Sequence, residues 1–392
     1  MKKFLFTLFL LGFYGTLFSQ EEDPFGTIRI NNFMDSLDNI EYIQKYTVDS
    51  APVISETNQI TDTKKSEVSY LDIREKLDAL KKKSPIAFEA TDDIVKSILY
   101  YLKYKRKSVS VLMGLSKIYY PLYEEVFIKH GLPQELKHLS AVESAFIPYI
   151  TSPAGARGLW QFMPQTAKGY KMNIDYYTDE RCDKYKSTEA ACRYLKDLGK
   201  MYKGDWLLAM AAYNCGPGNV NKAIARAGGK RTYWEIYNYL PKETQNYVPR
   251  YITLTFVLTY GKEYGISPMP NNYFIKTDTI TVRKNISFAE LSDKLGLRVN
   301  DIKYFNSGFI AGVITQGSYL VLPEEKISDY ITKIEQGRVG VNNSVSGNKD
   351  EKVSGKTLNS INEKPREETK EQGKEEVPEE EFDPFGTIKR GE

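Results

Sequence analysis

The stretch GLPQELKHLSAVES, Gly131 to Ser144, decides how this chain is read. Leu132, Leu136, Leu139 and Glu143 recur at helical spacing, which places a carboxylate on an apolar stripe. Pro133 suits the first turn of a helix, where no N–H is needed. A glutamate on such a stripe is costly to bury, and the C-terminal end of a helix is the negative end of its dipole. Both effects raise the carboxyl pKa and give an acid able to donate a proton near neutral pH. Taken alone, a glutamate of this kind is more often solvated or paired with a base. The segments downstream decide the matter.

TSPAGARGLWQFMP follows at Thr151 to Pro164, AAYNCGPG at Ala211 to Gly218 and ETQNYVPRY at Glu243 to Tyr251. Gly155 and Gly158 allow a sharp backbone turn, after which Gln161 lies between Trp160 and Phe162. An amide so placed is a surface group, or it orients a buried acid and holds a substrate amide. Tyr213 and Asn214 end a helix before the turn at Gly216, Pro217 and Gly218.

From about Phe88 to Tyr264 the pattern is dense, aromatic and helical, an all-α domain. Asp92 and Asp93 open a helix with Ile94, Ile98, Tyr101 and Leu102 inside. A second run extends from Met113 through Tyr123 to Phe127. Ser187 reads as the N-cap of a helix carrying Ala191, Leu195, Leu198 and Tyr202, and Asp205 as the N-cap of the next. After Pro268 and Pro270 the character changes to strand (Thr277 to Arg283), two short helices (Ser287 to Leu295, Val299 to Phe305) and strand (Gly317 to Leu322), a βααβ module.

The 392 residues carry 54 basic and 51 acidic side chains, a balance that gives no reason to expect a nucleic-acid partner. Tyrosine is frequent, with 29 residues against 18 Phe and 3 Trp, which suits either core-edge packing or rings that stack on sugars. Residues 1–20 read as a secretory signal, with Lys2 and Lys3 before an apolar run; no Cys near its end supports a lipid anchor. Residues 21–85 are polar, with a mixed-charge segment from Asp72 to Lys83 that can form a helix. From Gly337 to Glu392 the chain is too poor in apolar residues to offset its own entropy, so a disordered tail is expected. The hexapeptide DPFGTI occurs at Asp23 to Ile28 and again at Asp383 to Ile388. Three cysteines, Cys182, Cys192 and Cys215, leave at least one unpaired, and two histidines without further ligands offer no zinc site.

Four ordered blocks, Glu143-Ser144, Gly158 to Gln161 (GLWQ), Ala212 to Asn214 (AYN) and Glu243 to Val248 (ETQNYV), give the chain a likeness. It resembles the lytic transglycosylase family with the goose-type-lysozyme-like SLT domain, in particular the membrane-bound lytic murein transglycosylase D group, over about Pro85 to Tyr264. The resemblance implies Glu143 as the catalytic residue and Ser152, Gln161, Met163, Tyr213, Asn214, Glu243 and Tyr247 as substrate-binding neighbours, with no metal and no cofactor. Tyr247 would lie close to the acid. For Glu243 a salt bridge or buried hydrogen bond that ties helices together is an equal reading, and Met163 suits packing as well as chemistry. The βααβ segment resembles a lysin motif (LysM), a peptidoglycan-binding module. The usual Gly-Asp-Thr turn is replaced by Lys284, Asn285 and Ile286, while Asn306 stands where the family has Asn.

The expected architecture is therefore mainly α: residues 1–20 signal, 21–85 polar and helical, 86–265 catalytic SLT domain, 270–325 LysM-like module and 337–392 tail. The expected activity is cleavage of the β-1,4 bond between N-acetylmuramic acid and N-acetylglucosamine in peptidoglycan, with 1,6-anhydro ring closure and one Glu as acid and base. The expected protein is an exported monomer of the periplasm or cell envelope, acting on glycan strands, with an envelope partner recruited through the DPFGTI pair or the tail. One rival is a hydrolytic muramidase using Asp175, Asp179 or Asp183 as a second carboxylate. Another is a non-catalytic wall-binding scaffold.

Overall fold

The computed structural model describes residues 68–270 and 276–336. The signal segment, residues 21–67, both DPFGTI copies and the expected tail lie outside the described residues.

Helix α1 (Tyr70–Lys83) begins where the Ser69 hydroxyl accepts a bond from the Asp72 N–H (3.1 Å), and it buries Ile73 and Leu77. Thr91 caps α2 (Asp92–Tyr104), whose buried face holds Ile94, Ile98, Tyr101 and Leu102 as the spacing predicts. The long α3 (Arg106–His130) stops at Gly131, which takes the left-handed conformation.

The Gly131 to Ser144 stretch is not one helix. Gln134–His138 winds as a 3-10 turn and passes directly into the short α4 (Leu139–Ser144). Its first bond runs from the Leu136 N–H to the Pro133 carbonyl (3.2 Å), the i→i+3 closure common at a helix start. Leu132, Leu136 and Leu139 are nonetheless all buried.

Helix α5 (Pro164–Gly169) is followed by α6 (Lys184–Met201), where a second expectation needs correcting. The N-cap is Asp183, whose carboxylate accepts from the Tyr185 and Lys186 N–H groups (2.8 and 2.9 Å). Ser187 is buried one turn inside and donates to the Asp183 carbonyl (2.5 Å). Asp205 caps α7 (Trp206–Cys215) as expected, and Pro217 starts α8 (Pro217–Arg226) directly after Gly216. Helix α9 (Lys242–Tyr260) closes the body and packs on α2, α4 and α7.

Trp160 sits fully buried at the centre, stacked on Phe127 and tilted against Tyr123, with its indole N–H on Thr188 Oγ1 (3.0 Å). The same core takes in Ile73, Leu77 and Ile266, which lie beyond the 86–265 limits drawn from sequence. All three cysteines are free thiols.

The module that follows pairs β1 (Thr277–Thr281) antiparallel with β4 (Tyr319–Pro323) around α10 (Phe288–Leu295) and α11 (Val299–Phe305). A second ladder, β2 (Ile286–Ser287) with β3 (Val313–Ile314), was not legible because each strand is only two residues long. A further helix, α12 (Glu324–Tyr330), buries Tyr330 in the module's own core. Asn306 is buried and donates to the Ile302 and Val321 carbonyls (2.9 and 2.8 Å) while accepting from the Val321 N–H (2.8 Å). It thus ties the end of α11 to β4. Asn306→Ala strips the Val321 N–H and carbonyl of this partner at about 1–3 kcal/mol, while the Ile302 carbonyl keeps the Asn306 backbone N–H; hydrogen exchange at Tyr319–Pro323 should quicken, and unchanged exchange would show that the amide is dispensable. Four bonds seat the module on the helical body: Tyr119 OH to Tyr304 OH (3.1 Å), Ser307 Oγ to the Cys182 carbonyl (2.7 Å), the Asp179 N–H to the Gly308 carbonyl (2.8 Å) and the Ala311 N–H to the Tyr177 carbonyl (3.4 Å).

Candidate active site

Glu143 is the penultimate residue of α4, and the chain beyond it turns through two successive left-handed residues, Ala145 (φ 47°) and Phe146 (φ 64°). Non-glycine residues in this region cost about 1–3 kcal/mol each and persist where packing enforces them. Both side chains are buried, Phe146 against Tyr119 and Tyr120. The helix therefore ends abruptly and leaves Glu143 half-buried at its tip.

Ser140 and Ser144, on the same short helix, both donate to the Leu159 carbonyl (3.1 and 2.9 Å) and so clamp the GLWQ block beside the acid. That block folds back on itself: Arg157 and Phe162 exchange backbone bonds of 3.1 Å. Gly158 has φ +86°, and a Cβ there would lie 1.8 Å from the Arg181 carbonyl, so no other residue fits. Gln161 is also left-handed (φ 47°), and its amide donates to the Gly158 and Ile150 carbonyls (2.9 and 3.2 Å). Beneath it runs a buried ion cluster, with Asp179 pairing with Arg181 (2.7 Å) and approached by Arg157 (3.8 Å). Arg181 also donates to the Gly155 and Phe162 carbonyls (2.8 and 3.1 Å).

Helix α9 supplies the opposite side. Pro249 lacks an N–H, which frees the Gln245 carbonyl four residues earlier; the buried Tyr233 hydroxyl takes it (2.9 Å) together with the Thr244 carbonyl (3.1 Å). The first turn of α9 is thereby anchored, and Tyr247 donates its phenol to Glu143 Oε1. Tyr213 donates to the Trp160 carbonyl (2.7 Å), and Asn214 accepts from Thr244 Oγ1 (2.7 Å).

Burial pushes the Glu143 pKa up to about 7, with the Tyr247 bond opposing, the Glu243 charge adding and Arg250 opposing. Burial also holds the Tyr213 and Tyr247 phenols well above their ordinary value, so both remain hydrogen-bond donors. The arrangement can give and take one proton at one carboxyl near neutral pH. Tyr247→Phe removes a donor that favours the ionised form. Loss of such a bond, about 1.5–3 kcal/mol, should move the alkaline limb of the pH–rate profile upward by about one unit or more. An unmoved limb would separate Tyr247 from the titration of Glu143.

Of the expected neighbours, Tyr247 bonds Glu143 and Tyr213 lies within its electrostatic reach, while Gln161 bonds within its own loop and Asn214 bonds Thr244. Ser152 is half-buried in the loop, its hydroxyl accepting from the Ala156 N–H (3.1 Å), and Met163 is exposed ahead of α5. Glu243 is exposed in the first turn of α9 and makes no helix-tying hydrogen bond or ion pair among the described residues. Sequence reasoning missed Ser140, Tyr194, whose ring lies 5.1 Å from that of Tyr213, and Arg250, one turn beyond Tyr247. Arg250 was visible inside the ETQNYVPRY block but carried no pattern of its own. A cavity of about 150 Å³ lined by Tyr119, Pro148, Lys184 and Tyr304 lies between body and module, away from the acid.

Residues 127–236 match the transglycosylase SLT domain, and residues 276–338 match the LysM-like domain of lytic transglycosylase MltD. The chain is 34% identical over 216 residues to membrane-bound lytic murein transglycosylase D of Escherichia coli K12, covering 54% of this chain and 47% of that protein. It is 30% identical over 156 residues to the soluble lytic murein transglycosylase of the same strain, covering 37% and 23%. The crystal structure of the 70 kDa soluble lytic transglycosylase of Escherichia coli aligns at 22% identity with a TM-score of 0.33, over 50% of this chain and 35% of that one. The chain thus spans about half the length, or less, of the curated relatives it matches. The two domain matches bear out the resemblance drawn from the four sequence blocks and from the βααβ segment.

Proposed function

We propose that this protein is a lytic transglycosylase of the cell envelope that cleaves the β-1,4 bond between N-acetylmuramic acid and N-acetylglucosamine. The observation that carries this reading is a single carboxyl, Glu143, raised to about 7 and held by the Tyr247 phenol. Protonated Glu143 donates to the glycosidic oxygen, and the bond from that oxygen to the muramic acid anomeric carbon breaks. The 2-acetamido carbonyl of the substrate shares the positive charge that develops. The muramic acid 6-hydroxyl then attacks the anomeric carbon and gives its proton to ionised Glu143, which closes the 1,6-anhydro ring and restores the acid.

The aspartates that a hydrolase would need are engaged elsewhere, which supports the single-acid reading. Asp179 is buried between Arg181 and Arg157, Asp183 caps α6, and Asp175 accepts the Tyr177 and Thr178 N–H groups of its own loop (2.8 and 2.7 Å). Most glycosidases place a second carboxylate across the scissile bond; Glu243, exposed at the start of α9, is the remaining acid that acts on Glu143. Incubation with purified sacculi, followed by mass spectrometry of the soluble fragments, tests the proposal. Fragments ending in anhydro-muramic acid are expected, and the absence of released fragments would refute it.

A further inference from the structure

Arg250 lies on α9 three residues after Tyr247 and seven after Glu243, so the three share one face of the helix. The Tyr247 phenol on Glu143 fixes that face at the acid. The Arg250 side chain is half-buried, and burial draws its pKa down. Among the described residues it makes no hydrogen bond and no ion pair; Glu143, Glu243 and the Tyr101 and Tyr247 phenols act on it only at longer range. A guanidinium offers five donors in a planar fork shaped for a carboxylate. Its guanidinium is thus open to an incoming group, and Arg250 contrasts with the two other arginines near the site, which are tied to Asp179.

We infer that Arg250 is a substrate-holding residue that receives a carboxylate of the glycan strand in the Glu143 site, an inference that rests on the function proposed above. Two groups carry that chemistry: the lactyl carboxylate of muramic acid freed of its stem peptide, and a carboxylate within an attached stem. Neither charged partner is supplied by the protein. Docking a carboxylate there orients the sugar next to Glu143 and satisfies the fork in one step.

The test compares kcat/KM of the full chain on four soluble glycan preparations: strands with stems, strands with stems removed by an amidase, and each of these with carboxylates neutralised as methyl esters. The unaltered protein should lose about tenfold or more on esterified strands, the scale of one charge-assisted hydrogen-bonded contact. The stem-bearing and stem-free arms identify which carboxylate is read. Arg250→Met should be slow on the charged strands and insensitive to esterification, with Arg250→Lys intermediate because it keeps the charge and loses the fork. If Arg250→Met loses the same factor on charged and neutral strands, or only shifts the pH profile, the residue merely tunes Glu143 and the inference falls. If the unaltered protein cleaves none of the strands, the proposed function fails, and the inference with it.

Discussion

Glu143→Gln lowers turnover of sacculi by about a hundred- to ten-thousandfold, the range a positioned acid–base group contributes. The amide keeps the shape and can still meet the Tyr247 phenol, but it has no proton to give. Binding of glycan strands should survive, so the loss falls on kcat. The same variant carries a stability signature whose sign follows from the raised pKa. A carboxyl that titrates near 7 in the fold and near 4.5 unfolded makes its full contribution below about pH 4.5, and this is lost progressively as pH rises from there through 7. Glu143→Gln should therefore match the parent in acid and exceed it above pH 8 by up to about 3 kcal/mol. Turnover within a few fold of the parent would remove Glu143 from the mechanism.

Asp179→Ala is expected to cost about 3–5 kcal/mol, because it strands two arginines that the fold has already desolvated. Asp179 is 1% exposed and Arg181 6%. Arg181 holds the Gly155 and Phe162 carbonyls on either side of Gln161, so the loop facing Glu143 should loosen as the global stability falls. Urea unfolding followed by circular dichroism measures the first effect, and hydrogen exchange over residues 150–163 the second. A change below about 1 kcal/mol would mean that water or a rearranged loop satisfies the arginines as well as Asp179 does.

The chemistry was legible because it is carried by side chains at fixed offsets from glycines, aromatics and prolines. Glu143 stood out by its place on an apolar stripe, while Gln161, Tyr213, Asn214 and Tyr247 were singled out through the resemblance of their blocks, and Tyr247 does meet Glu143 in the structure. The βααβ module was readable for the same reason, down to Asn306. What escaped was set by tertiary context. No local pattern marks the 3-10 turn at Gln134–His138, or the left-handed Ala145 and Phe146, which packing imposes. Asp183 displaced Ser187 as a cap because a cap is chosen by where the chain enters the core, and both residues suit the position equally. Ser140 reads as an ordinary small helical residue; its bond to Leu159 spans nineteen positions and has no sequence signal. The tyrosines serve both readings: Tyr123, Tyr233 and Tyr251 are fully buried core residues, while Tyr104, Tyr176 and Tyr319 are exposed.

Cleavage of purified sacculi in heavy-oxygen water tests the central claim, that one carboxyl closes the anhydro ring without consuming water. Muramic acid ends that carry no heavy oxygen and resist borohydride reduction are expected. Labelled, reducing muramic acid ends would contradict it, since they require water at the anomeric carbon and a second carboxylate, with Glu243 the first candidate, to activate it.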